Sequence, residues 1–113
     1  MVNRGEIWWV DLPEPNASEP GYARPVLVLQ ANPFNHSRIP TVIVLALSSN
    51  MRLTEAPGNV VLTTKQTGLP KASVANVSQI LTLDKRFLRD KTAEISAKTM
   101  KLIDDGIRLA LDV

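Results

Sequence analysis

The sequence predicts a mainly β chain with one C-terminal helix, folded as a small, strongly bent sheet or barrel with the helix packed beside it. Two observations predict this. Short runs rich in Val, Ile and Leu recur as far as Ile95, divided by segments rich in Pro, Gly and Asn. From Ser96 onward, Met100, Ile103, Ile107 and Leu111 follow at intervals of three, four and four, the spacing of one helical face. A third observation bounds the size. The chain has 113 residues, 44% apolar and 21% charged, as expected for one globular domain over 1–113 that buries enough surface to need no covalent staple.

Taken in order, the first strand is Ile7 to Leu12, set between Gly5 and Pro13. Trp8 and Trp9 within it point to opposite faces, so one is expected in the core and the other partly exposed, where it stacks a base or seals a protein interface, and the sequence does not choose between the two. Val26 to Gln30 and Thr41 to Leu47 are the next strands. Residues 13 to 23, with Pro13, Pro15, Pro20 and Gly21, and residues 31 to 40, with Pro33 and Pro40, read as irregular loops long enough to suggest a function. After a polar stretch from Ser48 to Gly58, Val60 to Leu62 forms a fourth strand. The segment 65-KQTGLPK-71 supplies a turn into Ala72 to Val77, which Ile80 to Leu83 extends. Asp84 caps a single helical turn over 84-DKRFL-88, and Thr92 to Ile95 is a last short strand. Ser96 is the N-cap of the closing helix, which Gly106 weakens by about 1 kcal/mol relative to Ala.

Several function classes lack support. There is no cysteine, hence no disulfide or thiolate metal site, which is compatible with a reducing cytoplasm. Glu6 and Asp11 interrupt the first apolar run, leaving neither a secretory core nor a membrane span. His36 is the sole histidine, so no two-histidine acid and base pair exists within one chain. No HExxH, CxxC, GxxxxGK[ST] or GxSxG pattern occurs. The net charge of +2 permits a polyanionic partner without requiring one, and only Lys85, Arg86, Arg89 and Lys91 cluster.

The remaining candidates are polar residues at the ends of apolar strands. Pro25 disfavours helical geometry at Arg24 and holds it extended where the chain enters its strand. A guanidinium there has two readings, a phosphate ligand or an ion pair with Glu19 or Asp11. Ser48, followed by Ser49 and Asn50, ends the strand 41-TVIVLAL-47; its hydroxyl either terminates the ladder locally or faces a ligand. Glu19, in the first long loop, reads in isolation as a solvated charge.

The order of RGEIWWVDL, Glu19 with 21-GYARPVLVL-29, 41-TVIVLALS-48 and 68-GLPKASVANVSQILTLDKRFL-88, followed by a final helix, resembles the MazF/PemK (Kid) family of toxin endoribonucleases over essentially the whole chain. The resemblance implies an SH3-like barrel working as a cytoplasmic homodimer. Such a protein cleaves single-stranded RNA at short sequences without a metal or other cofactor, and a cognate antitoxin blocks its RNA groove. It assigns Arg24 to the family's catalytic arginine, Ser48 to the hydroxyl residue that is usually Thr, and Glu19 to an acidic loop residue, here the candidate general base. Cleavage by the RNA's own 2′-hydroxyl, leaving 2′,3′-cyclic phosphate and 5′-hydroxyl ends, asks the protein for charge stabilisation and proton transfer rather than a nucleophile. Loops 13 to 23 and 48 to 58 would rim the groove, with Ser49, Asn50, Arg52 and Lys71 as RNA contacts. Two alternatives share the barrel: a gyrase-binding toxin of the CcdB type, whose Trp-Gly-Ile tail is not matched by 109-LALDV-113, and a non-catalytic SH3-like binding module.

Overall fold

The apolar run Val26 to Leu29 is continuous because both faces of its strand are covered. Neighbouring residues of a strand face opposite sides. Val26 and Val28 therefore pack with Val10, Val42 and Val44 on one face, while Leu27 packs with Ile7, Leu45 and Leu47 on the other. The computed structural model describes residues 1–12 and 22–113. It contains strands β1 (Glu6–Leu12), β2 (Tyr22–Val28), β3 (Thr41–Ser48), β4 (Val60–Leu62), β5 (Ser73–Asp84) and β6 (Leu88–Glu94), joined as one antiparallel sheet in the order β4-β5-β3-β2-β1-β6. Helices α1 (Asn32–Asn35), α2 (Thr64–Thr67) and α3 (Ala97–Leu111) complete it. The mainly β fold with a C-terminal helix expected from the sequence is the one found.

Helix α3 covers the leucine face. Ser96 Oγ accepts the Thr99 amide hydrogen at 3.2 Å, the expected N-cap, and Met100 and Ile103 are buried against Leu27, Leu45 and Val77. The expected stripe stops short, since Leu111 is exposed and Ile107 only half-buried, and Thr99 and Gly106 complete the inner face instead. A Cβ at Gly106 would lie 2.1 Å from the Gly58 carbonyl oxygen. The residue that weakens the helix in isolation is thus the one that lets the helix backbone meet the turn at Gly58.

Two short helices replace expected irregular chain. Helix α1 lies inside the loop 31 to 40, and its Asn35 is buried, donating through Nδ2 to the Gln30 carbonyl. Helix α2 carries a reciprocal capping box, in which Thr63 Oγ1 accepts from the Gln66 amide while Gln66 Oε1 accepts from the Thr63 amide. It bridges the ends of the bent sheet, where Thr92 Oγ1 of β6 donates to the Thr67 carbonyl at 2.6 Å. The turn opened by Asp84 is present at Lys85–Phe87, with Asp84 Oδ1 accepting from the Arg86 amide at 2.9 Å.

The candidate active-site cleft

The sheet splits at one point, and the split forms the cleft. β2 and β3 pair only through Val26↔Ala46, Leu27↔Leu45 and Val28↔Val44. Towards the start of β2, Pro25 and Arg24 stay with β1, opposite Trp9 and Val10. Towards the end of β3, Leu47 and Ser48 stay with β5, opposite Ala75 and Val74, beyond an irregularity in the β5 register. Proline is tolerated on an interior strand here because the β3 ladder has not begun at Pro25, so no hydrogen bond to that neighbour is lost.

A cleft of about 330 Å³ fills the gap. β1 and β2 contribute Trp9, Ala23, Arg24 and Pro25; the end of β3 contributes Leu47, Ser48 and Ser49. Leu69, Pro70, Lys71 and Ser73 form the remaining wall. That wall is fixed from below. Gly68 takes a left-handed φ of 70° to end α2, the Leu69 amide donates to Thr67 Oγ1 at 3.1 Å, and the Leu69 side chain is buried in the core. Lys71 and Arg24 are both exposed at the rim.

Ser48 is oriented by its own chain. Its Oγ accepts the Asn50 amide hydrogen at 3.1 Å, which occupies a lone pair and leaves the hydroxyl proton available to a further acceptor. Asn50 Oδ1 accepts the Arg52 amide at 3.1 Å and caps the 3₁₀ turn Met51–Glu55. The cleft therefore gathers four residues singled out in the sequence, Arg24, Ser48, Ser49 and Lys71. Asn50 and Arg52 are not among its lining residues. Glu19 lies outside the described residues. Arg24 is the third residue of β2 rather than its threshold, since the strand begins at Tyr22 instead of Val26.

The sequence separated Trp8 from Trp9 by face but did not choose which of them meets the cleft. Neither tryptophan is fully buried: Trp9 flanks the leucine core and faces the cleft, and Trp8 flanks the valine core with its Nε1 donating to Glu6 Oε1 at 3.0 Å. Alternation separated the two rings, but only the strand pairing with Pro25 tells which one reaches the cleft. His36 sits elsewhere, beside Trp8 and Lys85, with Nε2 2.7 Å from Asn3 Oδ1.

The basic cluster is also away from the cleft, and its charge is engaged within the chain. Arg86 pairs with Asp84, Arg89 with Asp11 and Asp90, and Lys91 with Glu6 and Glu94. Lys85 Nζ donates to the Asn35 carbonyl at 3.0 Å. The bond to Glu94, then that to Glu6, raises the Lys91 pKa above its ordinary value, and the bond to Asp90 does the same for Arg89. Burial pushes the Glu6 carboxyl up, but the Asn3 amide, the Trp8 indole and Lys91 together outweigh it and hold the group below its ordinary value. Among the described residues, no group of three or more His, Cys, Asp or Glu could hold a metal ion, and no helix is long and apolar enough to cross a membrane.

Comparison with known proteins agrees with this architecture. Residues 3–111 match the family model described as PemK-like, MazF-like toxin of type II toxin-antitoxin system. The chain is 45% identical over 113 residues to endoribonuclease MazF2 of Mycobacterium bovis and to endoribonuclease MazF6 of Mycobacterium tuberculosis, covering 100% of this chain and 99% of each relative. Among solved structures, it is similar to an endoribonuclease in complex with its cognate antitoxin from Mycobacterial species, at TM-score 0.80 and 25% identity over 100% of this chain and 97% of that one. The fold also matches a MazE-MazF structure from Deinococcus radiodurans, at TM-score 0.81 and 21% identity over 99% and 96% of the two chains.

Proposed function

Since the chain belongs to the PemK-like, MazF-like toxin family of type II toxin-antitoxin systems, we propose that it is an endoribonuclease that cuts single-stranded RNA at a short sequence and is restrained by a cognate antitoxin. The observation that carries this reading is the cleft itself: the divergence of β2 from β3 sets Arg24 and Ser48, from separate strands, around one space.

The cleft's chemistry suits in-line attack by a 2′-hydroxyl. The 2′ oxygen bonds to phosphorus, the bond from phosphorus to the 5′ oxygen breaks, and the 2′ proton passes to a base while the departing 5′ oxygen gains one. The products are a 2′,3′-cyclic phosphate and a 5′-hydroxyl. Arg24 neutralises the charge gathering on the phosphorane oxygens, and the Ser48 hydroxyl, already accepting from Asn50, donates to one of them. Glu19 is the candidate base, and Arg24 or a water returns the proton. Lys71 holds a neighbouring phosphate at the rim, with Ser49 beside it; Asn50 and Arg52 meet the RNA beyond the cleft. No step calls for a metal.

The active protein is a cytoplasmic homodimer in this reading. The outer side of α3 supplies an apolar surface for a second copy, with Leu102 and Leu109 exposed two turns apart beside Val61 of the edge strand β4. The antitoxin acts by covering the cleft.

The test is incubation of antitoxin-free protein with long unstructured RNA in excess chelator, beside Arg24→Ala, with the cut positions and end groups mapped. Chelator-resistant cuts at a recurring short sequence, with cyclic phosphate and 5′-hydroxyl ends and absent from the variant, are expected. Intact RNA from folded protein would transfer the cleft to a binding role.

A further inference from the structure

We infer that Trp9 is the base-stacking residue of the cleft, holding the nucleobase next to the phosphate bound at Arg24. The inference rests on the ribonuclease reading above and adds to it how the RNA is gripped.

A cleft that met phosphate alone would be polar throughout. This one joins two cations and a hydroxyl at Arg24, Lys71 and Ser48 to an apolar wall of Trp9, Leu47 and Leu69. A nucleotide has the same division, an anionic phosphate on one side and a flat apolar base on the other. The volume of about 330 Å³ lies near the lower end of ligand pockets, about 300 to 1,000 Å³, so the cleft takes one nucleotide rather than several.

Trp9 is placed for stacking by its strand. Its backbone pairs with Pro25, so those two side chains share a face, and both line the cleft together with Arg24. It flanks the leucine core without being sealed in it, leaving part of the ring towards the cleft. Ile7, Leu27, Leu45 and Ile103 already fill that core. Trp8 cannot take the role, because it packs on the opposite face and its indole N–H is committed to Glu6.

Every base has a π face, so stacking supplies affinity that tolerates base identity. Trp9 therefore sets how tightly RNA is held, and hydrogen-bonding groups at the rim set which sequence is cut. Trp9→Ala should raise KM roughly tenfold or more while leaving the cut sequence unchanged, and Trp9→Phe should restore most of the loss.

The chain has two tryptophans, so a Trp8→Phe background makes Trp9 the sole indole reporter. The probe is the sequence cut by the protein, synthesised with 2′-deoxyribose at the cut nucleotide so that it binds without reacting. Trp9 emission should be quenched in step with binding measured by anisotropy, and Trp9→Leu, which keeps an apolar filler against the core, should raise KM with its thermal midpoint held. Cleavage by Trp8→Phe with emission unmoved by bound probe, or KM unchanged in Trp9→Leu, overturns the stacking role alone. Failure of the unsubstituted protein to cut any RNA overturns the ribonuclease reading, and this inference with it.

Discussion

The segment 85–91 and the cleft both carry positive charge, yet they differ in how that charge is assembled. In the segment, four cations lie within seven residues, and each is engaged by its own chain: Arg86, Arg89 and Lys91 by carboxylates, Lys85 by backbone carbonyls. In the cleft, Arg24 and Lys71 are distant in sequence and are brought to one rim by the parting of two strands. Clustering along the sequence therefore does not mark the cleft, whose two cations come from separate parts of the chain. The segment ties β6 to β1; the cleft offers cations beside hydroxyls and an apolar wall.

The contrast is tested hardest at Arg24. Arg24→Ala should lower kcat/KM for RNA cleavage by about 10²–10³-fold with little change in thermal midpoint, because the side chain is exposed. Ser48→Ala comes next, with a loss of roughly tenfold to a hundredfold, as for a hydrogen bond to a charged group. Ser48→Thr, which keeps the hydroxyl, should recover most of the rate. Lys71→Ala should weaken RNA binding a few-fold and make the slope of log affinity against log salt shallower by about 0.7, the signature of one lost phosphate contact on a single strand. Equal salt slopes in variant and parent would remove Lys71 from the RNA path.

On the other side of the comparison the effects should be on stability. The Glu6 pKa is lowered by folding, so its carboxylate contributes stability above its ordinary value of 4.5, and that contribution is lost as pH falls through the depressed folded value. Urea unfolding should show this acid-linked loss in the parent and not in Glu6→Gln. Arg86→Ala, the mildest change, should leave cleavage within about twofold and stability within about 0.5 kcal/mol. A large cleavage defect there would mean that the basic segment meets RNA after all.

Strands β1 to β5 were legible because their apolar runs end at turn residues, whereas β6, expected at Thr92 to Ile95, begins at Leu88, since LRDKTAE is too polar to read as an apolar run; the caps at Asp84 and Ser96 were legible because one side-chain oxygen decides them locally. Helix α2 could have been read from Thr63 and Gln66, whose spacing is that of a capping box, but the following Gly68 and Pro70 drew the whole segment into a turn. The early start of β2 was hidden by Pro25, which looks like a strand boundary until the missing β3 partner explains it. Arg24 and Ser48 stood out by residue type at strand ends, and their meeting in one cleft follows from where β2 and β3 part. That Trp9 rather than Trp8 shares their cleft depends on strand register, which no local pattern encodes.

The contact between Gly58 and Gly106 has a consequence for genetics. Apart from stop codons, every single-nucleotide change that alters a glycine codon adds a side chain, and at Gly106 even the first carbon would meet the Gly58 carbonyl oxygen at 2.1 Å. Selection for inactive clones would therefore recover lesions in the middle of α3 alongside lesions at Arg24, since displacing the helix disturbs the core beneath the cleft. Inactivity alone will not sort the two groups. The quantity that does is the amount of folded protein each clone accumulates, low for the glycine and undiminished for the arginine.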